Sequence, residues 1–180
     1  VSVAVLVGNP RPKSRTLQIA LQAAEAVAGR VGHAGAADVV DLSALAPVLL
    51  DAAPAPEVRD ALDRVAHADV LVVASPTYKA TYTGLLKVFL DRLPGGALAS
   101  TIALPLLVMG DPKHSLAVEV HLRPLLVELG ATVPTPGLAF LEAQVPDAAG
   151  VIGAWADAVA PRVSAALATT TAFANTGGAR

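Results

Sequence analysis

A chain of 180 residues, 54% of them hydrophobic, has ample apolar material for the core of one domain. Its 13 basic and 15 acidic side chains give a formal charge of -2, which argues against a nucleic-acid binder with its broad basic surface. Cysteine is absent, which excludes disulfides and thiolate chemistry and fits a cytoplasmic setting.

Residues 1–7 form a largely apolar run that reads as a buried strand. No charged leader precedes that run, so no signal peptide is expected. The stretch Gly8-Asn9-Pro10-Arg11-Pro12-Lys13-Ser14-Arg15-Thr16 joins it to residues 17–28, where Leu17, Ile19, Ala20, Ala23, Ala24 and Val27 recur at helical spacing. A strand-to-helix loop places backbone N–H groups where the helix dipole favours an anion, and this one adds hydroxyls and cationic side chains. It reads as a phosphate site. The competing reading makes Ser14 a plain helix N-cap and the basic residues a solvated loop. Pro12 stands where a Walker A loop needs its second Gly, and Gly8 alone cannot make the dinucleotide fingerprint G-x-G-x-x-G. A terminal phosphate monoester suits what remains.

Further along, a strand is expected at 38–42, a Pro-rich surface connection at 47–56 and a helix at 57–68, with His67 near its C-terminal end. Residues 69–74 are nearly continuously apolar, as in a strand buried on both faces of a parallel sheet. A helix at 81–93 turns Leu85, Leu86, Phe89 and Leu93 inward and stops at Pro94-Gly95-Gly96. A fourth strand at 101–109 and a loop at 110–114 lead to a helix at 116–129, which Pro124 should kink or disturb. The fifth strand falls within 132–140. The last helix, 148–167, carries Val151, Trp155 and Val159, and Pro161 should kink or divide it. One domain is expected over 1–168 and a flexible tail over 169–180. The uncharged run 93–110 is interrupted by Pro94, Gly95, Gly96 and Pro105, so no membrane span is expected there.

Strands and helices in alternation predict an α/β fold: a flavodoxin-like, doubly wound, five-stranded parallel sheet of order 2-1-3-4-5 with helices on both faces. In that order the loops at 8–16, 75–82 and 110–114 leave one edge of the sheet, and the first two flank the topological switch point, where they can share one ligand. Both tyrosines of the chain, Tyr78 and Tyr82, lie in the second loop, which reads as a ligand wall or a subunit contact.

These residues carry a resemblance. The loop from Gly8 to Thr16 resembles the G-S-x-R-x-x-S phosphate loop of NAD(P)H-dependent FMN reductases. Ser75-Pro76-Thr77-Tyr78-Lys79-Ala80-Thr81-Tyr82-Thr83-Gly84-Leu85-Leu86-Lys87 resembles their P-x-Y-x-x-S/T-Y-x-G-x-L-K segment. The stretches 89–94 and 116–126 narrow the likeness to the branch that supplies reduced FMN to two-component alkanesulfonate monooxygenases. The resemblance covers about residues 1–145. It implies that Arg11, Ser14, Arg15 and Thr16 bind the FMN phosphate, with Asn9 at the family's usual Ser position. It further implies that Pro76, Thr77, Tyr78 and Lys79 run along the flavin, and that Gly110 and Asp111 close its other side. The third loop, Gly110-Asp111-Pro112-Lys113-His114, departs from the Gly-Gly-Ser-like family form. Some members of the branch carry an inserted aromatic residue or His near the position of His121, at an oligomer interface.

The implied chemistry is hydride transfer from NADPH or NADH to FMN, with no catalytic side chain and no metal. The residues agree with this. His33, His67, His114 and His121 are dispersed, and neither a Ser-His-Asp order nor a carboxylate pair is present. With 3% aromatic residues, ring stacking is limited and weak, exchangeable FMN binding is expected. The implied partners are FMN, NAD(P)H, a flavin-dependent monooxygenase and further copies of the chain, as a homodimer or homotetramer. The alternatives are an FMN-retaining quinone, azo dye or chromate reductase, a flavodoxin-type electron carrier, and a binding module that keeps only the fold.

Overall fold

A computed structural model describes residues 1–33 and 35–176, with side chains through residue 170. The strands β1 (Val3–Val7), β2 (Asp38–Asp41), β3 (Val70–Pro76), β4 (Ile102–Met109) and β5 (Leu138–Leu141) are all parallel and form one sheet of order β2-β1-β3-β4-β5. β1 and β3 are therefore adjacent although a strand lies between them in sequence, which is the switch point expected of the order 2-1-3-4-5.

Every residue of β1, β3 and β4 is buried, because helices cover both faces. Side chains alternate between two core layers as the pleat requires. Leu6, Leu71 and Val73 pack with Val58, Val65, Leu86 and Phe89 from α2 (Pro56–Ala66) and α3 (Gly84–Leu90). Val5, Val72 and Leu104 pack with Ile19, Ala23 and Val27 of α1 (Arg15–Arg30), and with Ile152 and Val159 of a long C-terminal helix.

Departures from the sequence-based bounds have local causes. The third helix is shorter than 81–93: Thr83 caps it, and residues 78–81 form a tight turn instead of a first helical turn. Its end tightens into i→i+3 bonds, from Arg92 N–H to the Phe89 carbonyl and from Leu93 N–H to the Leu90 carbonyl. The connection at 47–56 is only partly surface, since Leu49 is buried and the Arg92 guanidinium bonds the carbonyls of Leu49 and Asp51.

The helix expected at 116–129 is a π-helical turn, Val118–Leu122, followed by α4 (Arg123–Glu128). Pro124 has no N–H to complete an α ladder; the ladder widens just before it, with Arg123 N–H bonding the Val118 carbonyl. Glu119 and Arg123 tie this segment to the loop before β5. The Glu119 carboxylate accepts from Arg123 Nε at 2.5 Å and from Gly137 N–H at 2.6 Å, and Arg123 bonds the carbonyls of Val133 and Thr135.

The last helix, α5 (Ala148–Thr176), is not divided at Pro161 and continues past residue 169, where the sequence predicted a flexible tail. Thr169 and Thr170 there bond the carbonyls of Ala165 and Ala166, four residues back, so their hydroxyls find partners inside the helix. The remainder of the expected tail, 177–180, lies outside the described residues. By length and composition, the helical stretch Glu142–Thr170 could cross a membrane. Within it, Ile152, Ala156, Val159 and Val163 bury one face against the sheet and α1.

Candidate functional site

Gly8 directly follows β1, and its N–H bonds the Ala74 carbonyl of β3 at 2.8 Å, so the two strands release their loops side by side. A Cβ on Gly8 would lie 2.6 Å from Leu86 Cβ, closer than real Cβ atoms come. Only glycine lets β1 pass the first turn of α3. At this crossing the Thr83 hydroxyl donates to the Gly8 carbonyl at 2.5 Å and accepts from Leu86 N–H at 3.1 Å. The Ser75 hydroxyl donates to the Pro76 carbonyl and accepts from Thr83 N–H. Ser75 and Thr83 are buried and clasp the first loop to the second.

Beyond Gly8, Asn9 organises the first loop. Its Oδ1 accepts from Arg11 N–H at 2.9 Å and its Nδ2 donates to Thr16 Oγ1 at 3.1 Å, with Asn9 and Thr16 both buried. Lys13 takes a positive φ of 53°, turning the chain into Ser14. Ser14 is indeed the N-cap, accepting from Leu17 N–H at 3.1 Å, and its carbonyl receives Gln18 N–H. This leaves the N–H groups of Arg15 and Thr16 at the positive end of α1 without a hydrogen bond among the described residues. Arg11 and Lys13 are exposed and, among the described residues, form no ion pair. Arg15 does: its Nη1 lies 3.2 Å from Glu142 Oε2, in the turn after β5.

The second loop begins at Pro76, the last residue of β3, and Thr77 N–H bonds the Val108 carbonyl of β4. Tyr78 and Thr81 then exchange backbone bonds of 2.9 and 3.3 Å around Lys79 and Ala80. Those two residues have positive φ, 51° and 71°, which non-glycine side chains adopt at a cost of order 1–3 kcal/mol each. This strained turn holds Tyr78 and Lys79 exposed at the tip. Thr77 Oγ1 is buried and finds no hydrogen-bond partner among the described residues, an orphan that a polar ligand atom would satisfy.

In the third loop, Gly110 follows β4 and Asp111 caps a short 3-10 turn, Pro112–His114, accepting from Lys113 N–H at 3.0 Å. Lys113, through its ammonium at 2.8 Å and its backbone N–H, holds the Asp111 carboxyl below its ordinary value. Asp111 is therefore already engaged within its own loop. A cavity of about 510 Å³, between α3 and α4, is lined by Tyr82 and His121. Tyr82 thus belongs to that groove rather than to the Tyr78 tip, and His114 lies half-buried in the third loop.

Paired loops, free helix-end N–H groups and the exposed Arg11 and Lys13 cations suit a phosphorylated, planar cofactor. The family model of NADPH-dependent FMN reductases matches residues 1–145. The chain belongs to that family. A Pseudomonas putida protein named FMN reductase (NADPH) is 42% identical over 95 residues, covering 53% of this chain and 48% of that protein. The matched stretch thus spans about half of that relative's length. An Escherichia coli K12 protein of the same name is 35% identical over 150 residues, covering 81% of this chain and 75% of that protein. Among solved structures, the apo form of an NADH:FMN oxidoreductase (EMOB) superposes with a TM-score of 0.77 at 34% identity, covering 87% of this chain and 86% of that one. Of the residues expected at the site, Asn9 is bonded to Thr16 and to Arg11 N–H, Arg15 is drawn toward Glu142, and Asp111 toward Lys113.

Sequence reasoning missed the clasp of Ser75 and Thr83. A Thr directly before Gly84-Leu85-Leu86 is a legible N-cap, but its bond to the Gly8 carbonyl is not. Glu142 carried no sequence signal at all.

Proposed function

We propose that this chain is an NAD(P)H-dependent FMN reductase that passes hydride from a reduced nicotinamide to FMN and releases reduced flavin to a partner monooxygenase. The observation that carries the reading is the α1 terminus. Two free N–H groups and the Arg11 and Lys13 cations stand there, and the loop that carries the buried Thr77 hydroxyl, unpartnered among the described residues, is clasped to Gly8 through Thr83. When bound, FMN supplies the redox chemistry as hydride acceptor. The N–H groups of Arg15 and Thr16, with Arg11 and Ser14, would hold its phosphate. Pro76, Thr77, Tyr78 and Lys79 would line the ring and ribityl chain, and Gly110 and Asp111 would close the other side. The turn at 78–81, closed by the exchange of bonds between Tyr78 and Thr81, would help to orient the ring.

The experiment is NADH and NADPH oxidation by the purified chain with and without added FMN. FMN-dependent oxidation supports the reading. Oxidation requiring a quinone, azo dye or chromate, with FMN retained, favours the acceptor reductase; FMN binding without turnover favours an electron carrier. No flavin binding overturns all three.

We also propose that copies associate through the face of the π-helical turn, as a homodimer or homotetramer. Leu116, Val120 and Val127 are there 69%, 55% and 54% exposed, beside the groove of Tyr82 and His121. Light scattering that returns the mass of one chain refutes this.

A further inference from the structure

Three cations stand at the phosphate loop, and among the described residues only Arg15 is engaged in an ion pair, with Glu142 at 3.2 Å. Glu142 opens a 3-10 turn, Glu142–Asp147, directly after β5, on the far side of the sheet order from β2. Its backbone is fixed at that point: Leu141 N–H bonds the Gln144 side chain at 2.9 Å, pinning the turn from which the carboxylate projects. β5 runs parallel to β1, so its carboxyl end brings Glu142 to the edge of the sheet from which the phosphate loop emerges. Both side chains of the pair are substantially solvated, 63% exposed for Arg15 and 48% for Glu142, so the bond can be exchanged for a competing anion.

We propose that Glu142 is a positioning residue that weakens phosphate binding by holding Arg15 off the anion site, so that the flavin remains exchangeable. The proposal rests on the FMN reading above. A guanidinium offers one fork of donors to either a carboxylate or a phosphate monoester. While Glu142 occupies that fork, Arg15 contributes its backbone N–H to the anion but not its charge. A bound flavin phosphate must displace the carboxylate to gain it, and the affinity is lowered by what the pair is worth. Arg11 and Lys13, without carboxylate partners among the described residues, carry the attraction that remains. Such a device suits a protein whose flavin leaves after reduction, and it needs no change in the loop itself.

The test is FMN affinity, read by quenching of flavin fluorescence in the full chain, for the wild type, Glu142→Gln, Arg15→Gln and the double variant. Riboflavin, which lacks the phosphate, serves as control. Removing the Glu142 charge is expected to tighten FMN about two- to fivefold at low salt and less at high salt, as for an exposed ion pair. Glu142→Ala should act in the same direction. The gain should vanish in the Arg15→Gln background, and riboflavin affinity should be unchanged. An unchanged or weakened FMN affinity in both Glu142 variants overturns the proposal. So does an equal gain without Arg15, or an equal gain for riboflavin. If the wild type binds FMN and these variants behave like it, this proposal alone falls; if the wild type binds no FMN, the FMN reading falls and takes it along.

Discussion

Replacing Thr83 by Val keeps the shape and the β-branch of the side chain and removes only its hydroxyl. That hydroxyl serves two buried backbone groups, donating to the Gly8 carbonyl at 2.5 Å and accepting from Leu86 N–H at 3.1 Å, at a residue 3% exposed. Loss of the N-cap bond costs about 0.5–2 kcal/mol. Leaving the Gly8 carbonyl without its donor in a dry setting costs about 1–3 kcal/mol more. A combined loss of about 2–4 kcal/mol in a chain of this size corresponds to a fall in melting temperature of about 5–15 °C. Because Thr83 also holds the phosphate loop against the Tyr78 loop, FMN affinity should fall with it. Thr83→Ser, which restores the hydroxyl, should recover most of both losses. Thermal unfolding followed by circular dichroism and FMN titration read the two effects. A Val variant that melts within about 1 °C of the wild type and binds FMN equally well would refute the clasp.

Gly8→Ala should destabilise by about 1–3 kcal/mol in denaturant titration, as overpacking does, because its Cβ would meet Leu86 Cβ at 2.6 Å. Leu86→Ala should fail to rescue it, since alanine keeps the offending Cβ; rescue by that change would show the contact to be wrongly assigned. The Arg123 guanidinium, bonded to the Glu119 carboxylate, holds that carboxyl below its ordinary value of 4.5. A depressed folded-state value means the pair stabilises the protein above about pH 4.5 and loses that contribution as pH falls through the lower folded-state value. Glu119→Gln should therefore lower the melting temperature at pH 7, with the gap to the wild type closing below pH 4.5; a pH-independent gap would count against the pairing.

The fold was largely legible because its strands announce themselves. Continuous apolar runs such as Val70 to Ala74 can only be buried on both faces, and alternation with helices then leaves few topologies. Helix ends were less legible. Thr81 and Tyr82 have helix-compatible neighbours, but the exchange of bonds between Tyr78 and Thr81 claims the backbone first, so α3 starts at Gly84. Likewise Pro124 signalled a disturbance without saying that the ladder would widen into a π turn. In the candidate site, Ser14 is the cap of α1, as one of its two sequence readings had it, and the Arg15 and Thr16 N–H groups beside it stay open among the described residues.

By itself the sequence determined the parallel sheet, the basic loop at a helix N-terminus and the pair of loops that carry the family likeness. These depend on local pattern: burial periodicity, turn residues and side-chain chemistry within a few positions. Only the tertiary structure decided which groups are free. Arg11, Lys13 and Arg15 look equivalent in the chain, yet Glu142, contributed from beyond β5, engages Arg15 alone. Gly8 and Leu86 lie far apart in sequence, and it is their close approach, with Thr83 bridging it, that holds the two loops together.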